Sequence, residues 1–171
     1  MPLPPPPPGR RYTPRRPWAP LTDAEWAEIL PHLDTVVIGQ GRPLRDARHR
    51  IDGMFRVAVS GEPWHTLPAE YGKADTVSRH FRRLAHMGLW LRLVGACANR
   101  EASATLRRIE YFICRAARRA MRVLGQEAAA VTHRLGMLTA LPVWSIYLRK
   151  PLALEKVNAI VGALLDRWRR L

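Results

Sequence analysis

The sequence predicts an all-α fold, and three observations support this. Apolar residues recur every three or four positions in several segments, which is the period of one face of a helix. Glycine and proline residues interrupt these segments at points where helices end. No segment alternates apolar and polar residues in the manner of a half-buried strand. Since 47% of the 171 residues are hydrophobic, the chain can bury a core, and global disorder is excluded.

Residues 1–20 are predicted to form a disordered arm rich in proline and arginine. Nine of the fifteen prolines lie here, and residues 4–8 are an unbroken proline run. Polyproline favours an extended helix without internal hydrogen bonds, and this segment cannot build a core. A second interpretation stays open, in which the arm lies along DNA phosphates through its four arginines. These are Arg10, Arg11, Arg15 and Arg16.

Residues 21–95 are predicted to hold four helices, and the first starts at a capping box. In this motif the Thr22 hydroxyl accepts from the Glu25 amide, and the Glu25 carboxylate reaches back to Thr22. Pro31 is expected to limit the helix, because proline interrupts the helical hydrogen-bond ladder. The apolar stripe of this helix consists of Trp26, Ile29, Leu30 and Leu33.

The second helix is predicted to start near Leu44 and to end at the turn of residues 60–63. The loop before it contains Gly41-Arg42-Pro43, a slim basic turn of a kind that can enter a DNA minor groove. Residues 64–68 are expected to form an irregular apolar plug. The buried face of this second helix is predicted to carry Ile51, Met54, Phe55 and Ala58.

The third helix is predicted to run from Asp75 or Thr76 to Gly88, with the fourth beginning near Leu89. At 100° per residue, Val77, Phe81 and Leu84 share one side of the third helix. The opposite side carries a nearly pure basic surface, and Ser78 flanks the seam between the two. The basic residues are Arg79, Arg82, Arg83 and His86.

The second and third helices, with a tight break between them, have the outline of a helix-turn-helix motif. In that motif the second helix enters the major groove, where arginine binds guanine through two hydrogen bonds. Lys73 and Thr76 would hold phosphate near the N-terminus of this helix, and Ser78 is included among the DNA contacts. The alternative interpretation is a charged surface that simply faces solvent.

Residues 96–171 are predicted to be a basic helical region that forms a module of its own. One helix runs from Ala104 to Leu124 and stops at Gly125, a second covers residues 126–135, and a third covers residues 157–168. Three interpretations of the first helix stay open: it tracks the DNA backbone, lies on anionic lipid, or is a core helix with a solvated basic back. Its arginines are Arg107, Arg108, Arg115, Arg118, Arg119 and Arg122.

The net charge of +14 points to a polyanionic partner. Residues 100–171 hold fourteen basic and five acidic residues, so the excess is concentrated there. The partner types consistent with this charge are DNA, RNA and an anionic membrane surface, of which nucleic acid is favoured.

An ordered set of short segments resembles the N-terminal domain of bacterial insertion-element transposases of the DDE type. The resemblance covers roughly residues 20–95 and implies a helix-turn-helix-like DNA-binding domain that recognises element ends. It also implies a recognition helix at residues 76–87 and a core containing Trp26, Phe55, Trp64, Phe81 and Trp90. The segments are residues 21–26 (LTDAEW), 41–43 (GRP), Asp46, 60–64 (SGEPW), 67–68 (LP), 76–77 (TV), 81–83 (FRR) and 88–90 (GLW).

The chain departs from that family after Trp90. Family members continue with a ribonuclease-H-like domain whose three carboxylates bind two metal ions. Here the only later aspartate is Asp166, and no strand pattern surrounds the later glutamates. No enzymatic activity, metal or cofactor is therefore expected. Cys97 and Cys114 lack a neighbouring histidine and are expected in the core, in keeping with a reducing cytosol.

The function predicted from the sequence is non-catalytic binding of double-stranded DNA by a truncated transposase or a domesticated regulator in the cytoplasm, at the nucleoid. No small-molecule substrate is expected, and a membrane is disfavoured as a partner. One alternative is a helical module that binds protein or membrane and self-associates through Val157, Leu164 and Trp168. Another is the DNA-binding half of a split transposase, completed by a separate catalytic chain. A homodimer is compatible with each.

Overall fold

The computed structural model describes residues 10–37 and 46–146 of the chain. Within these ranges the ordered elements are α-helices and short 3-10 turns, with one isolated bridge between Arg11 and Met137, so the all-α prediction is confirmed. The helices are α1 (Asp23–Val37), α2 (Ala47–Ser60), α3 (Ala74–His86), α4 (Leu89–Ala98), α5 (Ala104–Arg108), α6 (Glu110–Arg134) and α7 (Val143–Ile146).

Helix α1 starts at the predicted capping box. The Thr22 amide donates to Glu25 Oε2 at 2.9 Å, and the Glu25 amide donates to Thr22 Oγ1 at 3.3 Å. The expectation that Pro31 limits the helix is wrong, because α1 continues to Val37. Ile29 and Leu33 are both buried while Pro31 is exposed, so burial on the inner side sustains the helix through the missing hydrogen bond.

The connection between α2 and α3 is longer than a helix-turn-helix turn. It occupies residues 61–73 and contains the 3-10 turns Trp64–Thr66 and Ala69–Tyr71. The tight break predicted from the sequence is therefore wrong, since that motif uses a turn of roughly three or four residues. The predicted plug explains the length: Leu67 is buried, and the Trp64 ring packs on Phe81 with 5.2 Å between centroids.

The core is shared by helices on both sides of residue 95. Helix α6 packs against α2, α3 and α4, and its Phe112 ring lies 5.9 Å from Phe55. The Trp90 ring contacts both Phe55 at 5.9 Å and Phe81 at 4.9 Å. Residues 96–120 are therefore no separate module, in contrast to the expectation, because they supply part of the same core. A second, smaller cluster contains Met121, Ala128, Ala129, Leu138 and Leu141.

The residues that the resemblance places in the core lie there, whereas Leu30 of the predicted α1 stripe is exposed. Phe55, Phe81 and Trp90 are fully buried, and Trp26 and Trp64 are half-buried against the same cluster. Both cysteines are free and buried. Burial raises the pKa of the Cys97 thiol well above its usual range and that of Cys114 to about 12, so neither is a thiolate at neutral pH.

Two backbone irregularities divide the long basic helix. At Ile109 the dihedral angles depart from helical values (φ −96°, ψ 3°), which separates α5 from α6. At Gly125 they depart again (φ 74°, ψ −156°), and the chain then continues helically to Arg134. The predicted stop at Gly125 and the second helical piece after it are thus both observed. The predicted helix at residues 157–168 and the turn at residues 41–43 lie outside the described residues.

Candidate nucleic-acid interface

Helix α3 has the two contrasting sides that its sequence predicts. Val77, Phe81 and Leu84 are each at most 2% exposed and anchor the helix to the core. Four basic side chains on the other side are all exposed, and we call this set the α3 surface. Its members are Arg79, Arg82, Arg83 and His86.

The α3 surface carries little compensating negative charge. Asp75 forms an ion pair with Arg79 one turn away, and both side chains are more than 70% exposed. An exposed pair of this kind contributes little stability and can exchange for another partner. Within residues 10–37 and 46–146, no carboxylate pairs with Arg82 or Arg83. Their guanidinium groups are therefore available to an anionic ligand.

Two further candidate residues stand at the beginning of α3. Lys73 occupies the N-cap position, and the side chains of Lys73 and Thr76 are both exposed. The first amide groups of a helix attract anions, so a phosphate at this end would meet both the amides and the lysine. Asp75 lies in the same first turn, and its negative charge would repel such an anion. The ion pair with Arg79 offsets part of this repulsion.

Ser78 is a correction to the predicted contacts. Its side chain is buried, and its hydroxyl donates to the Asp75 carbonyl oxygen at 3.0 Å, so it does not face a ligand on the α3 surface. The neighbouring seam residue His80 is also buried. Burial, followed by the charges of Arg83 and Arg50, lowers its pKa to about 4, so His80 is neutral at pH 7.

Three of the arginines on α5 and α6 form hydrogen bonds with the protein's own backbone. Arg115 Nε donates to the Ala58 carbonyl oxygen at 3.1 Å, and Arg119 Nη1 donates to the Glu62 carbonyl oxygen at 2.9 Å. The Arg115 contact, with a longer one from Arg119 Nη1 to the Val57 carbonyl oxygen at 3.4 Å, caps the C-terminal end of α2, where the helix dipole favours positive charge. Arg107 likewise donates to the Asn99 carbonyl oxygen at 3.1 Å and fixes the turn before α5.

A cleft of about 560 Å³ opens beside these arginines. One wall is the basic face of α6, and we call the whole feature the arginine cleft. The opposite walls are Ala58 and Gly61 at the end of α2, and Pro142 and Val143 at the start of α7. The lining arginines are Arg115, Arg118, Arg119 and Arg122.

The remaining predicted arginines are placed differently from the expectation. Arg42 lies outside the described residues. The disordered arm is wrong from residue 10 onward, because the Arg11 amide donates to the Gly136 carbonyl oxygen at 2.9 Å and the segment packs on α6.

The arm's side chains are also engaged within the protein. Arg11 Nη2 and Thr13 Oγ1 each donate to the buried Glu110 carboxylate at 2.7 Å. Arg16 Nη1 donates to Glu25 at 2.9 Å, and Arg10 hydrogen-bonds to the ring of His133. The interpretation that the arm lies along DNA phosphates is therefore wrong for Arg10, Arg11 and Arg16, whose side chains are engaged within the protein. Arg15 is exposed.

Sequence reasoning missed the arginine cleft as a feature. The spacing of Arg115, Arg118, Arg119 and Arg122 places them on one side of α6, but nothing in it indicates a facing wall. That wall comes from the chain returning at Pro142 after the 3-10 turn Leu138–Ala140.

The described residues lack two other kinds of functional feature. No group of three or more His, Cys, Asp or Glu side chains there could hold a metal ion. None of the helices in these ranges combines the length and apolarity needed to cross a bilayer.

Comparison with known protein families supports the resemblance noted from the sequence. Residues 21–94 match the family described as "Putative transposase of IS4/5 family (DUF4096)". This part of the chain is therefore similar to an N-terminal insertion-element transposase domain, and it spans a little over two-fifths of the sequence. No curated protein and no solved structure matches the chain.

Proposed function

We propose that this chain binds double-stranded DNA through the α3 surface and performs no chemistry on it. The observation that carries the proposal is the exposed basic side of a helix whose opposite side is fixed in the core. Arg82 and Arg83 have no carboxylate partner in the described part of the chain. The match of residues 21–94 to a transposase family supports DNA as the polyanion.

The geometry of α3 suits recognition in the major groove. A B-DNA major groove is about 12 Å wide and admits an α-helix, and arginine binds guanine O6 and N7 through two hydrogen bonds. We assign base contacts to Arg79, Arg82 and Arg83, with His86 beside them at the C-terminal end. Lys73 and Thr76 would contact phosphate and fix the orientation of the helix. Ser78 is left out because it is buried.

Contacts to the DNA backbone are proposed for a second group of residues. Arg118 makes no hydrogen bond within the described residues, and Arg115 and Arg119 keep donors beyond those that cap α2. Arg107 has most of its donors engaged by the turn before α5, so its contribution is smaller. Arg42 would act as the minor-groove finger.

The absence of chemistry rests on the acidic residues of the 171-residue chain. Two-metal phosphoryl transfer needs carboxylates that neutralise charge on the attacking and leaving oxygens. Past Trp90 the chain has one aspartate, Asp166, and four glutamates. One of these, Glu110, is buried and occupied by Arg11 and Thr13. The proposed role is that of a transposase-derived DNA-binding protein at the bacterial nucleoid.

The proposal is tested by replacing Arg79 and Arg82 together with alanine and measuring affinity for duplex DNA at moderate salt. We expect a loss of at least about tenfold, because each arginine that reads a base contributes roughly 1–3 kcal/mol. The matched control replaces Arg100 and Arg134, which are exposed and lie outside α3, so that this variant loses the same charge. Unchanged duplex affinity in the α3 double variant would refute the proposal and favour an interaction module.

A further inference from the structure

The arginine cleft gathers four positive charges without a negative one. Arg115, Arg118, Arg119 and Arg122 line it, and no acidic side chain is among its lining residues. None of the four takes part in an ion pair within residues 10–37 and 46–146. Burial lowers the pKa of Arg118 and of Arg119, and the charges of neighbouring arginines lower it further. Arginine nonetheless stays charged, so an entering anion would relieve this repulsion.

Two of these arginines are held in place before any ligand arrives. Arg115 is fixed through Nε, which leaves both of its Nη groups without a partner among the described residues. Arg119 is fixed through Nη1 and stacks on the Trp64 ring, with 4.6 Å from Cζ to the ring centroid. A guanidinium that is already oriented loses less conformational entropy when it binds an oxyanion.

The wall of α2 also leaves room for the Arg115 head group. Gly61 has a left-handed conformation with φ 78°, and a Cβ atom there would lie 3.3 Å from Arg115 Nη2. The missing side chain therefore keeps this end of the guanidinium free on the cleft side. Glycine at this position both ends α2 and opens the approach to Arg115.

The chemistry of the lining selects the class of ligand. Guanidinium groups match the spacing of phosphate oxygens and bind them through two parallel hydrogen bonds. Four such groups in about 560 Å³ exceed what a single carboxylate could neutralise. A ligand with several linked phosphate groups offers both enough charge and enough oxygen acceptors.

We propose that the arginine cleft is a binding site for linked phosphate groups, supplied either by a free polyphosphate or by the backbone of a DNA strand. The site lies on α6, α2 and α7 and is separate from the α3 surface. When the phosphates belong to DNA, this proposal rests on the proposed function; when they are free, it does not.

The first test measures binding of sodium tripolyphosphate to the full chain by titration calorimetry at low salt. The variant replaces Arg118 and Arg122 with alanine, because both line the cleft and neither side chain forms a hydrogen bond or an ion pair in the described part of the chain. We expect at least a tenfold loss of affinity, from the removal of two charge-assisted partners. The control replaces Arg79 and Arg82 and so removes the same charge. Its affinity for tripolyphosphate should stay within about twofold of that of the unaltered chain.

Two results of this test would overturn the proposal. One is equal tripolyphosphate affinity for the cleft variant and the unaltered chain. The other is an equal loss in the α3 control, which would mean that net charge alone attracts the anion. Should the double variant fail to fold by circular dichroism, the single variant Arg122→Ala serves, since this residue is exposed. Its affinity should fall by about fivefold to tenfold, and unchanged affinity would again overturn the proposal.

A second measurement identifies the source of the phosphates. If the cleft takes a DNA strand, tripolyphosphate competes with duplex DNA, and the Arg118 and Arg122 variant lowers the salt dependence of duplex affinity by about two phosphate contacts. If the ligand is a free polyphosphate, the cleft variant binds duplex DNA as the unaltered chain does, and this result removes the backbone contact assigned to Arg118 from the proposed function. Loss of duplex affinity in the α3 variant tests DNA recognition by the α3 surface, so failure of the cleft site and failure of α3 recognition are distinguishable.

Discussion

Replacing Glu110 with alanine tests how residues 10–16 are held on the helices. Glu110 is 5% exposed and accepts hydrogen bonds from Arg11 Nη2 and Thr13 Oγ1, both at 2.7 Å. Both bonds end on the carboxylate, and a buried hydrogen bond to a charged group contributes roughly 1.5–3 kcal/mol. Because the Arg11 side chain is 42% exposed and can turn to water, its share is discounted. We expect the free energy of unfolding to fall by about 2–3 kcal/mol.

The assays for this variant are urea unfolding and limited trypsin digestion. Loss of the Glu110 anchor should speed cleavage after Arg11, whose amide and carbonyl pair with Gly136 and Leu138 in the folded protein. Glu127→Ala is the matched control, since Glu127 lies exposed on the same helix and should change stability by less than about 0.5 kcal/mol. An unchanged unfolding midpoint together with unchanged cleavage after Arg11 would refute the reasoning.

Three further outcomes are expected. Arg83→Ala should lower the slope of log affinity for duplex DNA against log salt by about one, with an unchanged melting temperature; an unaltered slope would remove Arg83 from the interface. His80 has a pKa lowered to about 4, so its folded form binds the proton less readily than the unfolded chain. The contribution of His80 to the free energy of unfolding should therefore be fully present above pH 6.5 and should fall by about 3 kcal/mol between pH 6.5 and pH 4. Urea titrations across this pH range should show the loss in the unaltered chain and no such loss in His80→Leu. Gly61→Ala should cost about 1–2 kcal/mol, because φ is 78° there and the new Cβ crowds Arg115; thermal unfolding at the unaltered temperature would contradict this.

Local patterns predicted the helices and the two sides of α3. The capping box at Thr22, the glycine at the end of α3 and the apolar positions Val77, Phe81 and Leu84 are set by short-range chemistry. Ser78 fell on the wrong side, because a residue at the seam is buried or exposed according to what packs beside it.

Contacts between distant parts of the chain could not be predicted from one sequence. Arg11 meets Glu110 across 99 positions, and composition alone made its segment look disordered. Arg115 and Arg119 bind backbone carbonyl oxygens of α2, and a carbonyl acceptor leaves no signal in the sequence. The arginine cleft needs Pro142 and Val143 as its second wall, and only the folded chain brings them there.

The central claim is that the α3 surface reads DNA, and selection from a random duplex pool tests it most directly. The purified chain is bound to the pool at low and moderate salt, and the retained duplexes are sequenced. We expect salt-sensitive binding with an enriched sequence motif, and we expect the motif to vanish in the Arg79 and Arg82 double variant. Binding without enrichment would contradict base reading by α3, and no binding at low salt would contradict DNA as the partner.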